Sequence, residues 1–122
     1  MTHQPAQPSL EELAARLAEF ARERDWDQFH APKNLAMALA GEVGELLEHF
    51  QWLSEQQSAD LPPATRDAVA LELADVLLYL VRLADKLQID LGAAALRKIE
   101  LNGLKYPVER FHGSSRKYDE PS

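Results

Sequence analysis

The sequence predicts an all-α protein, a four-helix bundle whose core a subunit interface is expected to complete. Apolar residues recur at steps of three and four in four separate segments. A capping residue or a proline stands at the start of each segment, and no run of alternating apolar and polar residues competes with them. A chain of 122 residues has room for one hydrophobic core, so a single domain over 1–122 is expected, with flexible ends at 1–9 and about 112–122.

Ser9 stands three residues before Glu12 in a capping pattern, and Leu10, Leu13, Leu17, Phe20 and Ala21 follow at helical spacing, which predicts a first helix over 10–24. Trp26, Phe29 and His30 then fall among polar residues, so 25–33 reads as an aromatic loop. A second helix is predicted over 32–53, opened by Pro32 and carrying Leu35, Leu39, Val43, Leu46, Phe50 and Leu53 on one stripe. The polar stretch 54–63 ends in two prolines and reads as a loop. The third helix, over 64–88, is apolar on nearly every face between Val69 and Ala84. Such a helix must be buried, at the centre of the bundle or in a subunit interface. Asp90 caps a fourth helix over 91–105, and from Pro107 onward the chain is polar and aperiodic, a loop or tail.

Composition narrows the function. The absence of cysteine excludes thiol nucleophiles and zinc–thiolate sites and suits the cytoplasm. No apolar run approaches the roughly 20 residues that span a bilayer, so no membrane partner is expected. A net charge of −7 opposes binding to nucleic acid, yet a carboxylate-bound cation can invert the local charge and admit a small phosphorylated ligand.

Glu42-Val43-Gly44-Glu45 and Glu72-Leu73-Ala74-Asp75 each place two carboxylates one turn apart on a helix face. An isolated pair of this kind ordinarily lies on a solvated face. The flanks of Glu72 and Asp75, however, are apolar on both sides, and buried carboxylates are normally paired or bound to metal. Arg82, seven residues past Asp75 and three past Tyr79, cannot neutralise four acids. All-oxygen ligation favours a hard cation, magnesium or manganese, and neither acidic motif offers the Glu-x-x-His of a di-iron bundle, which disfavours iron. Around the acids, Trp26 and Trp52 offer stacking surfaces, with Trp52 two turns beyond Glu45. Tyr79 lies one turn beyond Asp75, and Lys98 and Asn102 sit one turn apart on the fourth helix. His30 and His49 have no partner at the spacing of a nucleophilic triad, and His49 reads as exposed.

These motifs, together with Glu23 to His30, Phe50-Gln51-Trp52, Tyr106-Pro107 and Ser115 to Tyr118, resemble the MazG-like all-α nucleoside triphosphate pyrophosphohydrolases, within them the dCTP pyrophosphatase branch. The resemblance covers about 10–118. It implies a MazG-like bundle that assembles as a homodimer or homotetramer and cleaves a nucleoside triphosphate, dCTP or a modified dCTP, to the monophosphate and pyrophosphate. Glu42, Glu45, Glu72 and Asp75 would bind Mg2+, with Glu45 as the carboxylate that orients water. Trp26, Trp52, Tyr79, Lys98 and Asn102 would contact the nucleotide. One departure stands out: Leu17 occupies the place of a pocket histidine of animal members, which bears on base preference. The competing readings are a dUTP or broad-specificity pyrophosphatase, and a nucleotide-binding or structural oligomer without turnover.

Overall fold

The computed structural model describes residues 6–121, and every described element is helical. The expected flexibility of 1–5 and 122 lies outside the described residues. The chain divides between Ile89 and Asp90 into two compact units.

The first unit holds α1 (Leu10–Glu23), a 3₁₀ turn (Asp27–Phe29), α2 (Pro32–Glu48), α3 (Glu55–Ala59) and α4 (Pro63–Lys86). Ser9 Oγ accepts the Glu12 N–H at 3.1 Å and opens α1, as its sequence pattern requires. The helix stops without a glycine. Asp25 takes the left-handed conformation at φ 54°, the Asp25 N–H reaches the Arg22 carbonyl, and the Trp26 N–H closes on the Ala21 carbonyl at 2.8 Å. The same motif ends α4, where Gln88 has φ 56° and the Ile89 N–H bonds the Ala84 carbonyl.

Two expectations are corrected between α2 and α4. The second helix stops at Glu48, and residues 49–53 form turns in place of its last coils. Residues 54–63, expected as loop, contain α3. Ser54 Oγ accepts the Gln57 N–H while the Gln57 side chain accepts the Ser54 N–H, a reciprocal cap that starts a new helix and so ends the old one upstream.

α4 packs against both α2 and α1, and Ala21, Leu35, Val69, Val81 and Ala84 form the core between them. The helix is not covered all round. Leu71, Leu73, Leu77 and Leu80 are exposed, Leu71 at 70 %. An apolar face of this kind is what the expectation of a subunit interface requires.

The second unit holds α5 (Leu91–Lys105), capped by Asp90 Oδ1 accepting the Ala93 N–H, and α6 (Val108–Phe111). The short α6 corrects the expectation of unbroken loop from Pro107. Phe111 is buried against Tyr106, ring centroids 4.8 Å apart, and Arg116 donates to the Arg110 carbonyl at 2.7 Å, which fastens the chain after Gly113 onto α6.

Candidate active site

Helical spacing brings Glu42 and Glu45 to one face of α2, and the packing of α4 on α2 sets Glu72 opposite them. One carboxylate oxygen from each of the three lies within 4.8 Å of the others. Asp75, one turn along α4, is not one of the trio, but its charge acts on Glu42 and Glu72. Glu42 Oε2 and Glu72 Oε2 are buried and meet no hydrogen-bond donor. Buried anionic oxygens without a donor are costly, and they fit a hard cation held among them.

The electrostatics agree. Burial pushes the Glu42 carboxyl up to about 7, helped by its hydrogen bond with Glu45 and by the charges of Glu45, Asp75 and Glu72. Glu72 is raised by burial first and then by the Glu45 charge, with His49 pulling the other way. His49 is therefore half-buried beside the acids, where an exposed position was expected.

A group whose pKa is raised on folding contributes stability that is fully present below its unfolded pKa, near 4.5, and lost as the pH climbs through its folded value, about 7 for Glu42. His30, lowered mainly by burial, works in the opposite direction near its ordinary 6.5, so the wild type alone does not isolate the carboxylates. The useful quantity is the melting temperature of Glu42→Gln minus that of the wild type, both in chelator. It should grow from pH 5 to pH 8, and an equal gap at both pH values would contradict the crowding of Glu42.

Beside Asp75 opens a pocket of about 440 Å³ between α1, α2, α4 and the two residues that flank the 3₁₀ turn, Trp26 and His30. Its walls are mostly apolar, with Leu13, Leu17 and Phe20 from α1, and Leu78 and Tyr79 from α4. The Schellman turn after α1 delivers Trp26 to this wall, where it meets Phe20 edge-on at 5.7 Å. Arg16, His30 and Arg82 supply polar groups. An aromatic, mostly apolar pocket with a few polar groups, next to an acidic cluster, suits a base joined to a phosphate chain.

Of the nine residues singled out from sequence, Glu42, Glu45 and Glu72 converge, and Asp75, Trp26 and Tyr79 line the adjoining pocket. Trp52 does not lie on a helical carboxylate face, because α2 has already ended; it projects from the turn and is 87 % exposed. Lys98 and Asn102 are exposed on α5, in the second unit. Sequence reasoning missed Phe20, His30 and Arg82 as pocket residues. For Arg82 the signal was available, since it lies seven residues, two helical turns, from Asp75.

The MazG-like family profile matches residues 38–120. The chain is 49 % identical over 114 residues to dCTP pyrophosphatase 1 of Mus musculus, covering 92 % of this chain and 67 % of that protein. It is 48 % identical over 116 residues to dCTP pyrophosphatase 1 of Homo sapiens, covering 93 % and 68 %. Among solved structures it is similar to a pyrophosphatase from Archaeoglobus fulgidus, with a TM-score of 0.77 and 40 % identity over 87 % of this chain and 99 % of the other.

Proposed function

Because the chain belongs to the MazG-like family, we propose that it is a dCTP pyrophosphatase, releasing pyrophosphate from dCTP or a modified dCTP and leaving the monophosphate. The observation that carries this reading is the trio of carboxylate oxygens within 4.8 Å, two of the acids holding a buried oxygen without a donor, beside a base-sized aromatic pocket.

Glu42, Glu45, Glu72 and Asp75 hold Mg2+ in this proposal. The bound ion supplies charge neutralisation at the phosphates and a water of lowered pKa. Trp26, Phe20 and Tyr79 grip the base. Glu45, exposed at the edge of the cluster, orients the attacking water. Lys98 contributes an ammonium to complement phosphate charge, and Asn102 an amide able to bond phosphate or sugar. Residues 1–122 are read as one MazG-like domain working in the cytoplasm on a nucleotide, without nucleic-acid or membrane partners. No helix among the described residues is long and apolar enough to cross a membrane.

The test is pyrophosphate release from a panel of triphosphates with Mg2+. Preference for dCTP supports the proposal. Leu17 in the pocket wall is the feature that would shift preference to dUTP or to a broad set. No release from any triphosphate would leave a nucleotide-binding oligomer without turnover.

We propose further that the exposed face of α4 is covered by a second copy. Light scattering at micromolar concentration should then give two or four times the chain mass of 13.7 kDa. A clean monomer would remove the interface.

A further inference from the structure

Arg82 is buried in α4 at 5 % exposure, on the pocket wall with Asp75, Leu78 and Tyr79. A buried guanidinium needs acceptors for its donors, and it finds them across the pocket in the aromatic turn. Its Nη2 donates to Asp27 Oδ1 at 2.7 Å and its Nε to His30 Nδ1 at 3.1 Å, while Asp85 Oδ2 stands 3.6 Å from Nη1. Lys86, the next cation on α4, donates to the same Asp27 oxygen at 3.0 Å. The helix that carries Asp75 and Tyr79 is thereby clasped to the turn that carries Trp26 and His30.

The bond to His30 has a chemical consequence. A guanidinium only donates, so His30 Nδ1 must be the unprotonated nitrogen, and the neutral ring carries its proton on Nε2. Burial, and then the Arg82 charge, hold the His30 pKa below its ordinary value and keep the ring neutral. We propose that Arg82 is a positioning residue for nucleotide binding: its two-pronged bond to Asp27 and His30 fixes His30 as the Nε2–H tautomer in the pocket wall and holds the Trp26 turn against α4.

Arg82 is not needed to form the turn itself. Gln28 Nε2 bonds Asp25, Asn34 Nδ2 donates to the Phe29 carbonyl, and the Trp26 N–H is held by Ala21. Losing the clasp should therefore loosen the ring and the spacing across the pocket while the helices persist. Lysine in this place keeps the charge but gathers its donors on one flexible nitrogen, where arginine reaches His30 and Asp27 from two fixed ones, so the paired geometry is lost.

The proposal rests on the reading of this pocket as the nucleotide site, and its test separates the two. Isotope-edited NMR of the imidazole nitrogens, without nucleotide, should show His30 as the Nε2–H tautomer in the wild type and a mixture in Arg82→Lys. In the same variant KM for dCTP should rise about tenfold with kcat within about twofold, the signature of lost binding and not of lost chemistry. Asp27→Asn keeps the second arm of the test if Arg82→Lys fails to fold, because Asp27 is largely exposed. It should raise KM about threefold through the weakened clasp. An unchanged His30 tautomer in Arg82→Lys, or an unchanged KM in both variants, overturns the proposal. A wild type that does not turn over dCTP overturns the pocket reading alone, since the tautomer measurement needs no substrate.

Discussion

Glu72→Gln should lower magnesium-dependent turnover by on the order of a hundredfold or more while the metal-free protein melts at the same temperature or higher. The first half follows from ligation. Even partners outside the ligand shell of a metal site cost about 10–100-fold when removed, so a residue that touches the ion should cost at least as much. The second half follows from the orphaned Oε2 of Glu72 and from the upward pull on its pKa by burial and by the Glu45 charge. An amide carries no charge into that crowd, and its NH2 can donate to a neighbouring carboxylate. Glu42→Gln should behave alike, because its Oε2 is also buried without a donor. Glu45 and Asp75 are exposed, so Glu45→Gln and Asp75→Asn should lose turnover with little change in melting. Pyrophosphate release and thermal melts of the four purified variants check this together. Two variants with near-normal activity would dissolve the proposed ligand set, and a uniform collapse of melting temperature would make the acids structural instead.

Much of this architecture could be read from periodicity, and the failures have specific causes. The four long helices were legible because each carries apolar residues at steps of three and four behind a cap or proline, as at Ser9 and Asp90. The end of the second helix was not. Phe50 and Leu53 continue the apolar stripe of α2, yet Ser54 with Gln57 forms a reciprocal cap, and the chain cannot continue one helix while extending its backbone to begin another. Periodicity reports which residues would share a face if the helix continued, while the cap decides whether it does. The left-handed stops at Asp25 and Gln88 carry no glycine to announce them.

The site divides in the same way. Glu42, Glu45 and Glu72 were legible because helical spacing and apolar flanks are local properties. The role of Arg82 was not, because its partners Asp27 and His30 are more than fifty residues away, and only tertiary packing pairs them. From sequence it reads only as a single cation that cannot balance four acids. In the fold it faces the aromatic turn, and the acids are left to one another.

The two tryptophans, alike in sequence reasoning, should now part company. Trp26 lines the pocket and is half exposed within it, at 45 %, packed edge-on against Phe20. It is neither a buried core residue nor a free surface one, which is the state of an aromatic wall waiting for a flat ligand. Stacking of a base on such a ring is worth roughly 1–3 kcal/mol, so Trp26→Ala should weaken nucleotide binding by about five- to 150-fold. A buried tryptophan would instead cost about 3–5 kcal/mol of stability on truncation. With nearly half its surface already in solvent, and its backbone N–H still tied to Ala21, Trp26→Ala should melt only a few degrees lower. Trp52 presents 87 % of its surface to solvent within a single chain, so Trp52→Ala should leave the stability of that chain almost unchanged. Whatever affinity it loses must then come from a ligand or a second copy covering the ring. Calorimetric affinity for a non-hydrolysable triphosphate with Mg2+, paired with melts of the unliganded variants, reads both quantities. If Trp26→Ala melts far below the wild type while its folded fraction binds with unchanged affinity, the ring belongs to the core and the aromatic wall is not a base site.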